Sequence, residues 1–205
     1  GSANTTGTSN TFIGNQAGEL NTTGGYNTFV GVYAGTDNTS GTYNVFVGRG
    51  AGQNNTTGNY NTFIGMNAGY TNETGTDNVF IGNTAGYYET GTSLLYIDNS
   101  NTTLPLVYGN FSSNLFRING DIQYTGSISD VSDSRFKKNI EEIGNSLERI
   151  SMLRGVYFDW NRDYDPEMVL NGDRQIGVIA QEVEAIFPEL VITDKDGYKL
   201  VDYTK

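Results

Sequence analysis

The chain has 205 residues, with 12 Lys and Arg against 23 Asp and Glu, a formal net charge of −11, and neither cysteine nor histidine. Such acidity argues against nucleic acid or an anionic membrane surface as the main partner, because phosphate surfaces are bound through a surplus of Lys and Arg. The missing residue types exclude disulfides, Ser-His and Cys-His nucleophile pairs and histidine metal sites, so any nucleophilic catalysis must use Ser or Thr with a lysine or carboxylate as base.

Gly1 and Ser2 read as a cloning scar, and the residues after them lack the charged start and apolar core of a signal peptide. No apolar run approaches the roughly 20 residues of a membrane span, so membrane insertion is not expected. Composition then divides the chain. Residues 1–131 hold 22 of the 27 glycines and ten charged side chains, whereas residues 132–205 hold 25 charged side chains in 74 positions. The break falls at Ser132 and argues for two modules.

The first 93 residues repeat. "NTFIGNQAGELNTTGGY", "NTFVGVYAGTDNTSGTY", "NVFVGRGAGQNNTTGNY", "NTFIGMNAGYTNETGTD" and "NVFIGNTAGYYETGTS" begin at Asn10, Asn27, Asn44, Asn61 and Asn78, a period of 17 until one residue is lost near Glu89. In each unit a β-prone Phe-Ile or Phe-Val stretch is followed by Gly, then by an Ala-Gly corner, then by a Thr-Gly or Ser-Gly corner. Gly and Asn tolerate the conformations of sharp corners, so each unit predicts one coil of a β-solenoid or β-roll.

Each coil offers one Phe, one Ile or Val, an Ala and sometimes a Tyr to a core. A large apolar side chain contributes ~1.5–3 kcal/mol on burial, while ordering costs roughly 1–2 kcal/mol per residue for the backbone alone. The expected remedy is a homotrimer whose Phe and Ile rows surround a shared axis. Two other readings stay open: a monomeric solenoid with a cramped core, and a binding face for ice or glycan made by the threonine column at 11, 28 and 62, which Val45 and Val79 interrupt. The Asn-x-Thr/Ser triplets at 21, 38, 55 and 72 match a glycosylation acceptor but coincide with a turn, where both residue types have a conformational use. Carboxylates are too few for a calcium-binding roll, and no metal or cofactor is implied.

Residues 94–131 leave the period and alternate apolar with polar positions between Asn, Gly and Pro, which predicts a β-rich adaptor or cap. Residues 132–205 read as a small α+β domain. A helix is expected to start at Asn145, with Leu147, Ile150 and Leu153 on its apolar face and a stop at Gly155; "GVYFDW" reads as a strand. Within "IGVIAQEVEAIFPEL", residues 176–190, Ile179, Val183, Ile186 and Phe187 fall at i, i+4, i+7 and i+8 and predict a short amphipathic helix that stops at Pro188, before a hairpin built on "LVIT" and "YKLVDY" around "DKDG".

In this order, "SDSRFKKNI", "IGVIAQEVEAIFPELV" and "DGYKLVDYTK" make residues 130–205 resemble the C-terminal intramolecular chaperone domain of peptidase family S74. That family ends phage tail spikes, endosialidases and bacterial trimeric fibre proteins. The repeats are similar to the shafts of predicted bacterial and phage tail-fibre proteins and, more loosely, to the heads of trimeric autotransporter adhesins. The resemblance implies a domain that registers and folds three chains and then cuts itself off before a serine, with a lysine five residues on completing a dyad. Carried to this chain, the dyad is Ser132 with Lys137, the scissile bond joins Val131 to Ser132, and Asp133, Arg135 and Asn139 occupy the surrounding motif positions. Lys138 and Arg135 are nearby cations that could lower the lysine's proton affinity. On spacing alone, a serine and a lysine in a charged loop are usually solvated bystanders.

The family continues into a helical segment, so a domain cut short at Lys205 is expected. The implied setting is a virion tail fibre or a bacterial cell surface, and the implied enzyme class is single-turnover autoproteolysis. The competing class is a surface adhesin that binds a glycan or receptor and carries a passive, uncleaved assembly domain.

Overall fold

A computed structural model of the chain describes residues 1–120, 122, 123, 125, 132–161, 174–194 and 197–203. They belong to two units, Gly1–Ile122 and Gln123–Lys205.

In the first unit every Phe-centred stretch is a three-residue strand: β1 (Thr11–Ile13), β2 (Thr28–Val30), β3 (Val45–Val47), β4 (Thr62–Ile64) and β5 (Val79–Ile81). Each pairs in parallel with the next at an offset of one repeat, so Phe12 lies opposite Phe29 and Phe29 opposite Phe46. The glycine after each strand has a structural reason. Gly48 sits at φ +140, and a Cβ there would lie 2.3 Å from the Gly65 carbonyl oxygen of the next coil.

Phe29, Phe46, Phe63 and Phe80 are fully buried within their own chain. Their rings stack at 4.8–4.9 Å between centroids and 4–8° between planes. This corrects the expectation that symmetry mates cover the Phe row. The Ala-Gly corner closes over each ring so tightly that a Cβ on Gly52 would meet the Phe46 ring at 2.5 Å. Of the two apolar columns, it is the Ile/Val column that faces out, with Ile13 and Ile64 exposed.

The interior also contains two columns of fully buried asparagines: Asn27, Asn44, Asn61 and Asn78, and Asn21, Asn38, Asn55 and Asn72. An amide both donates and accepts, so it can serve one coil and the next at once. Asn44 Oδ1 accepts from the Asn61 backbone N–H at 2.9 Å, and its Nδ2 donates to the Gly58 carbonyl at 2.7 Å. The glycosylation-like triplets are thus structural, since their asparagines are inside. Asn61→Ala strips the Asn78 N–H and the Gly75 carbonyl of their buried partners. At about 1–3 kcal/mol for each of the two orphaned groups, urea unfolding should show a loss of about 2–6 kcal/mol.

The repeat ends where the residue is lost. In β6 (Leu94–Ile97), Tyr96 lies opposite Phe80 and meets its ring edge-on, at 5.3 Å and 74°, which ends the face-to-face stack. The Glu89 carboxylate accepts from the Gly91 N–H and the Tyr96 hydroxyl. Burial, with that hydrogen bond behind it, raises the Tyr96 phenol above its ordinary range. β7 (Val107–Asn110) and β8 (Leu115–Ile118) then run antiparallel and complete an eight-stranded sheet in chain order.

Among the described residues, the second unit has two α-helices and two antiparallel strand pairs. α1 (Ser146–Ser151) stops at a Met152 cap, earlier than the expected Gly155, and its Leu147 and Ile150 are exposed. β9 (Val156–Phe158) pairs with β10 (Gln175–Gly177), and the expected short amphipathic helix is α2 (Ala180–Ile186), with Ile179 as its extended cap. Ile176 lies opposite Tyr157 in the β9–β10 pair. β11 (Val191–Thr193) and β12 (Lys199–Val201) form the expected hairpin; its turn residues 195 and 196 lie outside the described residues. α1 is tied to α2 by Arg149, which donates to the Ile186 carbonyl and lies over the Phe187 ring at 4.2 Å, and the Arg154–Glu182 ion pair also reaches α2. Val183 is the one buried apolar residue among those described in this unit.

Candidate functional site

The compositional break is a tight turn. Asp133 caps a 3-10 turn, Ser134–Phe136: its Oδ1 accepts from the Arg135 backbone N–H at 2.8 Å, and the Lys137 N–H closes the turn on the Ser134 carbonyl at 3.1 Å. A carboxylate before a helical turn suits that place because it accepts from otherwise unpaired N–H groups. One such turn reverses the chain enough for residues five apart to meet. Lys137 Nζ lies 2.8 Å from Ser132 Oγ and donates to it. Both side chains are exposed.

Arg135 is not set against Lys137. Its Nε and its Nη2 grip the two Asp133 carboxylate oxygens at 3.0 and 2.8 Å, so its charge is matched within the turn. Of the two cations expected near the lysine, Arg135 is thus paired with Asp133 and Lys138 is exposed. Asn139 takes a left-handed backbone at φ 55, a conformation asparagine tolerates. Val131, on the other side of the expected scissile bond, lies outside the described residues.

The Arg135 hydrogen bonds hold the Asp133 carboxyl below its ordinary value. The turn's carboxylate contacts are complete above the ordinary carboxylate pKa of about 3.9 and are lost as pH falls through the lowered folded value. An NMR titration of the Asp133 carboxyl should therefore have its midpoint below that reference, and Arg135→Ala should move the midpoint upward.

A serine hydroxyl held against a lysine amine, beside the peptide bond preceding that serine, is a possible nucleophile and base for acyl chemistry. Residues 132–192 match the peptidase S74 family, described as Chaperone of endosialidase. That segment begins at Ser132 itself and contains Lys137, both strands of the β9–β10 pair, α1 and α2. Among curated proteins the chain is similar to the long tail fiber protein Gp37 of Escherichia phage AR1, at 38% identity over 81 residues, which is 38% of this chain and 7% of that protein. It is also similar to Gp37 of Salmonella phage S16, at 31% identity over 88 residues, 43% of this chain and 12% of that protein. The matched stretch is thus a small fraction of either relative.

Beyond the dyad, the second unit carries an open groove of about 690 Å³ lined by Phe158, Trp160, Ile176, Ile179, Leu200 and Tyr203. Phe136, Ile140, Leu147 and Tyr203 are more than 70% exposed. Sequence periodicity could not mark these as surface residues, because apolar side chains at regular spacing ordinarily signal a core. None of the helices among the described residues is long and apolar enough to cross a membrane.

Proposed function

We propose that the chain is a segment of a trimeric tail fibre in which a solenoid shaft is followed by a chaperone domain that assembles three copies and then releases itself. The observation that carries this reading is the 2.8 Å contact of Lys137 Nζ with Ser132 Oγ at the first residues of the chaperone-family segment. The tail-fibre relatives support the setting on a virion.

Release follows from the residues. Lys137, as free amine, takes the Ser132 Oγ proton; Oγ bonds to the Val131 carbonyl carbon; the C–N bond breaks, and the Ser132 nitrogen leaves as an amine with the proton returned by the Lys137 ammonium. Water then hydrolyses the ester, leaving a Val131 carboxylate and a free Ser132 hydroxyl. An alkylammonium in water keeps its proton to about pH 10, and exclusion of water lowers that value. Since the dyad of one chain is exposed, the chains that cover the apolar surface of the second unit would also dry the dyad, which makes cleavage wait for assembly.

The shaft explains why a chaperone is needed. Coils of identical length can pair one repeat out of step at little cost, so the solenoid alone sets its lateral register weakly. Mass spectrometry of the purified chain tests the reading: a fragment beginning at Ser132, lost in Ser132→Ala, is expected. An intact chain in a stable trimer would instead favour a passive assembly domain on an adhesin.

A further inference from the structure

The repeats carry an exposed face that no part of the described chain covers. Asn27 and Phe29 point inward while Tyr26, Thr28 and Val30 do not, and the same alternation recurs at 43–47 and 60–64. Tyr26, Tyr43 and Tyr60 stand 54%, 47% and 57% exposed yet stack on one another at 4.8 and 5.0 Å, within 4° of parallel. Beside them run the columns Thr28, Val45, Thr62 and Val30, Val47, Ile64. No charged residue interrupts these stretches; the charges of the same coils, Asp37, Arg49 and Glu73, lie outside them.

We infer that this face is where a second copy of the chain docks, parallel and coil for coil, which makes it the lateral interface of the shaft. Two observations select that occupant. A partner that fills successive Tyr and Val rows must present rows at the same 4.8–5.0 Å pitch, and another copy does so by construction. Copies with net charge −11 repel at most approaches, and this face is free of charge. Its ends also mark the register. Ser9 and Asp77 take the tyrosine's place in the coils before and after, so a slip of one coil sets a tyrosine against Asp77. The penalty is confined to one level in three, which is why the register still needs the chaperone domain. Stacked rings present their edges outward and keep their faces for one another, which suits a flat protein surface better than a sugar stacked face-on.

The inference rests on the oligomer of the proposed function, and the test separates the two. The chain has no cysteine, so Val47→Cys and Glu73→Cys each create one thiol, on the face and outside it. With a short bismaleimide, Val47→Cys should crosslink copies in most of the assembly and Glu73→Cys should not. Tyr43→Asp should raise the concentration at which the oligomer dissociates at least tenfold with unchanged circular dichroism, since Asp77 shows that aspartate adopts this backbone at φ 59. An oligomer by light scattering in which only Glu73→Cys crosslinks would overturn this interface and leave the oligomer standing. A wild-type monomer at every concentration would overturn both. Glycan binding by wild type that is lost in Tyr43→Asp, with assembly unchanged, would make the face a sugar platform and overturn the inference.

Discussion

Phe46→Ala lowers the unfolding free energy of the solenoid by about 3–5 kcal/mol. The ring is fully buried and stacked on both sides, against Phe29 and Phe63. Its removal leaves a cavity that the backbone cannot fill, because the carbonyl ladder fixes the spacing of the coils: the Gly52 N–H donates to the Ala68 carbonyl at 2.9 Å, and the Gly35 N–H to that of Ala51 at 3.0 Å. In a stack where each coil contacts only its neighbours, one weak interface also uncouples the coils on either side. Phe12→Ala, at the half-buried first level of the ladder, should cost clearly less. Urea unfolding followed by circular dichroism measures both. A loss below about 1 kcal/mol for Phe46→Ala would mean that the Phe column is not the core of a single chain.

The second large effect is on cleavage. Lys137→Ala should slow release of the fragment beginning at Ser132 by about 10²–10⁴-fold, the usual worth of a positioned general base. Lys137→Arg should fail as well, because a guanidinium keeps its proton and cannot take one from Ser132 Oγ. Ser132→Ala should remove the fragment altogether. None of the three variants should alter folding of the second unit, since both side chains are exposed and their contact is with each other. Time-resolved mass spectrometry reads the rates; equal rates in wild type and Lys137→Ala would remove the lysine from the chemistry.

The coils were legible because period, strand and corner agree at every repeat: the Phe stretches are strands, and the glycines after them hold positive φ. The interior was only half legible. Asparagine is ordinarily a surface residue, and a count of apolar side chains alone makes each coil look too thin to fold. The buried amides at Asn44 and its equivalents supply the missing interior: the Asn44 amide is satisfied by Gly58 and Asn61 of the next coil, and the Asn44 backbone N–H in turn donates to the amide of Asn27 in the coil before. Burial of the Phe row in one chain was lost to the same undercount. In the second unit the spacing of Ile179, Val183 and Ile186 marked α2, whereas the strand just before it, Gln175–Gly177, is made by long-range pairing with β9 that no local spacing shows. The dyad lies at the limit of sequence reading. Spacing of five says little until the Asp133 cap folds the turn, and a serine and lysine of this kind were marked only by resemblance to a family.

Native mass spectrometry of the full chain, sampled as it assembles, is the most direct test of a chaperone that cuts only once its chains have met. The prediction is that three-chain assemblies form first and that the fragment beginning at Ser132 appears only from them, at a rate proportional to their amount. Fragment released at the same rate from chains held monomeric by dilution would contradict it.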